Sequence, residues 1–283
     1  MNTSPIVRLP ANEAGRDFVV GDIHGCTDML FNLLKRVRFD VSVDRLFSTG
    51  DLIDRGPNHL EALRLLYEPW FYSVLGNHEA MMQSYLGIAE WTSHDANDFI
   101  RNGGAWAVEV RVDPVLRNEL SDILLRIPVV IEVGSGTEGF RVAHADLPRL
   151  PLDHREADAR VSTQREMILW SRNTAYSGKD QIIEDAPPAG GYTDVGRHDR
   201  DEPLVFCGHT VMPWPMYYRN HMFIDTGAFL EYWPDREGAL TLVEPARLIR
   251  SLDNPGEAPE SNGIYQVRRK QETARRGLVG SLW

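Results

Sequence analysis

The chain is short of cysteine, of long apolar runs, and of basic residues relative to acidic ones. Cys26 and Cys207 are the two cysteines in 283 residues, and neither belongs to a CxxC pair. That excludes a disulfide framework and a thiolate zinc site; isolated thiols of this kind read as small buried side chains beside strands. Lys and Arg number 30 against 41 Asp and Glu, a formal net charge of −11. General nucleic-acid binding needs clustered cations along the phosphate backbone, so this balance argues against it. A small anionic ligand stays open, because bound cations reverse the local field whatever the whole surface carries. The N-terminus, MNTSPIVRLPANEAGRD, has no basic segment leading into a long apolar stretch, and IPVVIEV at 127–133 is far too short to span a bilayer. No membrane partner is expected, and the expected location is the cytoplasm.

What is present is an ordinary globular composition, 42% hydrophobic and 25% charged, enough to bury a substantial core. Short β-branched or aromatic runs recur immediately before polar or glycine-rich turns: DFVV before GD, RLFS before TGD, FYSVL before GN, FRVA before HAD, PLVFC before GH and HMFI before DTG. Each has the length and composition of a strand. DMLFNLLKRV (28–37) and NHLEALRLLY (58–67) carry apolar residues at helical spacing between the early runs. Strand, turn, helix, strand is α/β layering, in which ligands gather outside the carboxyl ends of the strands. Residues 80–127 change character and read as an inserted helical subdomain. Residues 185–202 and 251–263, rich in Pro, Gly and charge, read as loops. The expected organisation is one domain over 1–250, then a linker and basic tail over 251–283. Arg268, Arg269, Lys270, Arg275 and Arg276 make that tail either a solvated terminal helix or a partner-binding arm.

Three motifs stand in order: GDIHG (21–25), GDLIDRG (50–56) and GNHE (76–79). A chance match to Gly-Asp-x-His-Gly alone has a probability on the order of 10⁻³ in a chain this long. HAD (144–146) and GHT (208–210) add two histidines, each directly after an apolar run. Asp22, His24, Asp51, Asn77, His144 and His209 together offer hard oxygen and borderline imidazole donors without sulfur. Such a set suits Mn²⁺, Fe or Zn²⁺.

With these motifs, and with PWFYSVLGNHEAMM, RNGGAW, HADLP, LWSR, FCGHT and MFIDTGA, the sequence resembles the metal-dependent phosphoprotein phosphatases among the calcineurin-like metallophosphoesterases, most closely their phage lambda-type branch. The likeness runs from about residue 17 to about residue 243. It implies an α/β (α+β) fold, a β-sandwich flanked by helices with an inserted helical lid, and two divalent metal ions, Mn²⁺ before Fe or Zn²⁺. By the resemblance Asp51 bridges the ions, Asp22 and His24 hold one, and Asn77, His144 and His209 hold the other. Ions about 3.5–4 Å apart lower the pKa of a bridging water from 15.7 toward roughly 7, which makes hydroxide available at neutral pH. Arg55 and Arg172 would meet the phosphoryl oxygens with planar forks. His78, oriented by Asp54, would protonate the leaving alkoxide.

The implied activity is hydrolysis of phosphoserine and phosphothreonine in proteins, extending to phosphotyrosine, by direct attack of the bridging hydroxide. A related branch that hydrolyses dinucleoside polyphosphates shares GDxHG and GNH, but typically carries another residue where this chain has Asp54. A non-catalytic phosphate-binding scaffold is a third reading, disfavoured because every ligand type is present. His59, His94, His154, His198 and His221 read as surface or hydrogen-bonded residues. Asp146 and Asp225 read as supports of the site or turn caps. Trp106, Trp170, Trp214 and Trp233 read as core or rim packing rather than groove lining.

Overall fold

Most strands of this protein are apolar on both faces, and that dictates how they stack. The computed structural model describes residues 5–91, 96–180, 191–196, 201–253 and 262–269. Within them run β1 (Ile6–Leu9), β2 (Asp17–Val20), β3 (Arg45–Ser48), β4 (Phe71–Ser73), β5 (Val130–Val133), β6 (Phe140–Ala143), β7 (Thr193–Asp194), β8 (Leu204–Cys207), β9 (Met216–Tyr218), β10 (His221–Phe223), β11 (Leu240–Val243) and β12 (Ile264–Val267). They form two mixed sheets, one ordered β1-β5-β6-β8-β10-β9-β7 and the other β12-β11-β2-β3-β4.

Period-two alternation assigns each side chain to a layer. Val19, Phe47 and Val243 of the second sheet meet Ile131, Phe140, Val142, Phe206 and Met222 of the first in one buried cluster. The Phe47 and Phe140 rings lie 5.4 Å apart, edge to face, at this seam. Their sequence neighbours point the other way. Phe18, Val20, Leu46 and Leu242 pack with Met29, Leu30 and Leu33 of α1 (Thr27–Arg36). Val130, Ala143, Val205 and Phe223 pack with Ala157, Val161 and Ile168 of a long helix over His154–Trp170. The result is helix, sheet, sheet, helix. Truncating a fully buried ring such as Phe47 to Ala would cost about 3–5 kcal/mol.

Strand direction positions the site. β2, β3 and β4 are parallel neighbours, and so are β6, β8 and β10. Parallel strands end on the same edge of their sheet, so the loops after β2, β3 and β4 leave one sheet together and those after β6, β8 and β10 leave the other. Those six loops are GDIHG, GDLIDRG, GNHE, HADLP, GHT and DTG.

Between β4 and β5 the chain is helical, with segments over Asn77–Leu86, Ala96–Arg101, Val108–Val112 and Pro114–Leu124. Asp113 caps the last of these, its carboxylate accepting from the Val115 and Leu116 amides ahead of a first-turn proline. Part of the stretch read as linker and tail is structured: a helix over Pro245–Asp253 crosses residue 250, and β12 pairs antiparallel with β11. Tyr265 and Val267 of β12 pack on the core, an apolar alternation that the basic residues after it obscure in the sequence. The rest of the tail, residues 270–283, lies outside the described residues. So do 185–190 and 197–200 of the region read as a loop, in which Thr193–Asp194 forms β7 beside β9. No helix among the described residues is long and apolar enough to cross a membrane.

Candidate functional site

The loops at the strand ends are built in a conformation that most residues avoid. Among the described residues eight non-glycine positions have φ in the left-handed region, and five of them are His24, Asp51, Asp54, Arg55 and His209. Each such position costs on the order of 1–3 kcal/mol, and strain concentrated in one place marks a site whose geometry is held by its surroundings. Two glycines permit the crowding. A Cβ at Gly76 would lie 2.2 Å from the Asp51 amide nitrogen, and one at Gly208 would lie 1.8 Å from Asp22 Oδ1. GN and GH need glycine because carboxylate-bearing turns press against them.

Asp51 stands at the centre, 2% exposed. Its Oδ2 lies 3.6 Å from His24 Nε2 and 3.8 Å from His78 Nε2, and its Oδ1 lies 3.5 Å from His144 Nε2. Candidate ligand atoms group as His24, Asp51 and His78 on one side and Asp51, His144 and His209 on the other, each set within 4.8 Å. Asp51 is common to both. Asn77 joins the second set: its Oδ1 is 2.8 Å from both His144 Nε2 and His209 Nδ1. Asp22 is buried beside them but turned aside, with Oδ1 accepting from Thr49 Oγ1 at 2.7 Å and Oδ2 from the His209 amide at 2.8 Å. His78 takes the place in the first set where the sequence suggests Asp22.

The histidines show whether this place suits cations. His24 donates its Nδ1–H to the Ile53 carbonyl and His144 its Nδ1–H to the Thr49 carbonyl, both at 2.7 Å. A neutral imidazole has one N–H, so Nε2 of each ring carries a lone pair aimed inward. His144 Nε2 thus faces the acceptor Asn77 Oδ1 with no hydrogen between them. Neutral rings are what the surroundings dictate. Burial, with the Arg55 and His78 charges, holds His24 well below the usual imidazole range, and burial likewise lowers His144 and His209.

The carboxylates complete the pattern. Burial works to raise Asp51, but the ring of imidazoles and Arg55 outweighs it and holds the carboxyl below its usual range; with His24 and His144 neutral, Arg55 is the fixed cation among them. Burial, Asp225 and Asp51 push Asp22 well up, and burial pushes Asp225 up to about 6. Asp225 Oδ2 and the Nε2 atoms of His78 and His209 are buried without hydrogen-bond partners. Converging lone pairs, crowded buried carboxylates and orphaned polar atoms together fit a pair of divalent cations, which would relieve all three.

Beside this cluster lies a dyad. His78 Nδ1 is 2.6 Å from Asp54 Oδ2, and both side chains are fully buried. The indole Nε1–H of Trp106, from the helical segment after β4, donates to Asp54 Oδ1 at 2.7 Å. His59 accepts the Asp54 amide at 3.2 Å and stacks on Trp106, ring centroids 4.5 Å apart. Glu79 fastens two motif loops to each other: its carboxylate accepts the amides of Leu52 at 2.8 Å, Asp51 at 2.9 Å and Gly76 at 3.0 Å. Burial and Asp51 push that carboxyl up to about 8. Trp106, which reads as packing in the sequence, His59, which reads as a surface or hydrogen-bonded residue, and Glu79 all support the site. RNGGAW and the last letter of GNHE signalled two of them, whereas nothing local distinguished His59.

Arg55 donates Nη1–H to His24 Nε2 at 2.9 Å and lies over the Phe229 ring. Arg172 donates to the His209 carbonyl oxygen at 3.1 Å. Both line an open cleft of about 800 Å³ that reaches His209. Every candidate site residue named from the sequence therefore falls in this region, with Asp22 the one whose oxygens are engaged elsewhere.

The family model described as calcineurin-like phosphoesterase matches residues 18–213. Serine/threonine-protein phosphatase 2 of Salmonella typhimurium is 36% identical over 216 residues, 75% of this chain and 87% of its own length. A symmetrical bis(5'-nucleosyl)-tetraphosphatase of Actinobacillus pleuropneumoniae is 35% identical over 162 residues, 56% of this chain and 54% of its own length. A solved protein serine/threonine phosphatase of Saccharomyces cerevisiae, 16% identical, superposes with a TM-score of 0.55 over 94% of this chain and 84% of its own, a likeness of fold.

Proposed function

The chain belongs to the calcineurin-like phosphoesterases, and from that premise we propose that it hydrolyses phosphoserine and phosphothreonine monoesters in proteins. The observation that carries this reading is the single buried carboxylate of Asp51, with one oxygen toward His24 and His78 and the other toward His144. Asp22, His24 and Asp51 would hold one divalent cation, and Asp51, Asn77, His144 and His209 the other. Mn²⁺ suits the donors, with Fe or Zn²⁺ as alternatives. When bound, such a pair acts as a Lewis acid and lowers the pKa of water toward roughly 7.

The chain's own groups do the remaining work. Arg55 and Arg172 orient a phosphoryl group from the cleft wall and offset its charge. Asp54 accepts from His78 Nδ1 and thereby turns Nε2 toward Asp51. At Nε2 His78 holds the proton that the leaving serine or threonine oxygen requires. The match to the Salmonella phosphatase spans more of this chain and of its relative than the match to the tetraphosphatase does, which favours the protein substrate. The second reading, a dinucleoside polyphosphate hydrolase, is kept open by that tetraphosphatase likeness.

Turnover of a phosphoserine peptide and of diadenosine tetraphosphate, each with Mn²⁺ and again after chelation, separates the two. Preference for the peptide, abolished by the chelator and restored by Mn²⁺, is expected. Hydrolysis of the dinucleotide alone would transfer the proposal to the second reading, and metal-independent turnover of either would end it.

A further inference from the structure

The cleft carries more positive charge than one phosphoryl group can use. Arg55 and Arg172 sit deep in it, beside His209. Farther out it is lined by Arg101, Lys179 and Arg236, all exposed, and among the described residues none of those lining it is a carboxylate. In a chain of net charge −11 this lining carries one sign, with the carboxylates of Asp98, Asp180, Asp235 and Glu237 next to its outer cations in the chain but outside the lining. The outer cations come from three separate places: the helix over Ala96–Arg101, the helix over Asn173–Lys179, and the turn after Trp233. Arg101 also pairs with Asp98 one helical turn away, an exposed contact of the kind that contributes little.

We propose that Arg101, Lys179 and Arg236 form an outer anion subsite that selects phosphopeptides bearing a carboxylate or a second phosphate beside the scissile one. The proposal rests on the phosphoprotein reading above and names the class of substrate within it. A sphere of the cleft's volume, about 800 Å³, is about 12 Å across, the length of three or four extended residues at roughly 3.3 Å each. The selecting anion therefore lies within about three residues of the phosphorylated one. Trp233 and Tyr176, 45% and 47% exposed, flank these cations and supply apolar surface to the intervening peptide. Attraction of this sort acts at the surface, so it falls as salt rises.

The test uses three phosphoserine peptides that differ only in their flanking residues, acidic, neutral or basic, with p-nitrophenyl phosphate as a substrate too small to reach the rim. The full chain, metal-loaded, is compared with the Lys179→Ala/Arg236→Ala double variant and with Lys179→Glu. The wild type should show kcat/KM about tenfold higher for the acidic than for the neutral peptide, carried mainly by KM and shrinking between 0.05 and 0.5 M salt. The double variant should lose that preference, and Lys179→Glu should reverse it, while p-nitrophenyl phosphate turnover stays within about twofold. Equal kcat/KM for acidic and neutral peptides, or a preference that survives the double variant, would overturn the subsite and leave the phosphatase reading intact. If p-nitrophenyl phosphate and all peptides go unhydrolysed, the broader reading fails instead. Turnover of diadenosine tetraphosphate in preference to every peptide, lost in the double variant, would assign the rim to a polyphosphate chain and likewise overturn this proposal.

Discussion

Replacing Trp106 by Phe isolates one contact between the helical insertion and the proposed chemistry. Phe keeps most of the ring that stacks on His59 but removes the N–H that reaches Asp54 Oδ1 at 2.7 Å. Asp54 is fully buried, so the freed oxygen has no solvent to turn to. A hydrogen bond to a charged group contributes about 1.5–3 kcal/mol, and leaving its partner unsatisfied costs a similar amount. If that loss appears in the transition state through a mis-set His78, kcat should fall by roughly 10- to 100-fold with KM little changed. The leaving-group dependence gives the diagnostic. A phosphoserine peptide, which needs a proton on departure, should lose more than p-nitrophenyl phosphate, which does not. In a His78→Asn background the Trp106→Phe change should then cost almost nothing, because coupled residues are not additive. Two results would refute the reasoning: equal losses on both substrates, or full additivity with His78→Asn. A lower melting temperature with intact kcat would reduce the indole to a packing role.

His78→Asn alone should lower kcat on a phosphoserine peptide by roughly 10²–10⁴ while sparing an aryl phosphate, and equal losses would remove His78 from the acid role. Glu79→Gln sets an amide N–H₂ against backbone donors that the carboxyl oxygens now satisfy. With two backbone amides left facing a donor instead of an acceptor, urea unfolding should report about 2–6 kcal/mol less stability, and a loss below 1 kcal/mol would contradict the bracing role of that side chain. Asp44 is held below the usual carboxylate range: burial would raise it, but the Arg16 side chain and the Asp40 and Arg16 amides win. A depressed carboxyl stabilises the fold above its unfolded pKa, near 3.9, and loses that contribution as pH falls through its folded value. The stability gap between wild type and Asp44→Asn should therefore be constant from pH 7 to 5 and shrink progressively below about pH 4; a gap of undiminished size at pH 3 would show that the carboxylate's charge is not its source.

The sequence by itself determined the chemistry's ingredients. GDIHG, GDLIDRG, GNHE, HAD and GHT each name donor atoms and a turn, because the glycines, the carboxylates and the strand-like runs before them are local in the chain. Local signals also sufficed for α1 and for most strands, whose side chains alternate between two covered faces. Tertiary structure decided which distant groups meet. The parallel triplets β2-β3-β4 and β6-β8-β10 bring six loops together, a consequence of strand direction that no single motif contains. Trp106 lies 52 residues from Asp54, and His59 touches both, so a residue that reads as surface or hydrogen-bonded and one that reads as packing become the dyad's supports. β12 was hidden because its four residues precede a basic run, and its pairing with β11 depends on a partner more than twenty residues upstream. The cationic rim was equally invisible. Arg101, Lys179 and Arg236 are scattered singly through an acidic chain, and the folding of three separate segments around one cleft is what turns them into a field.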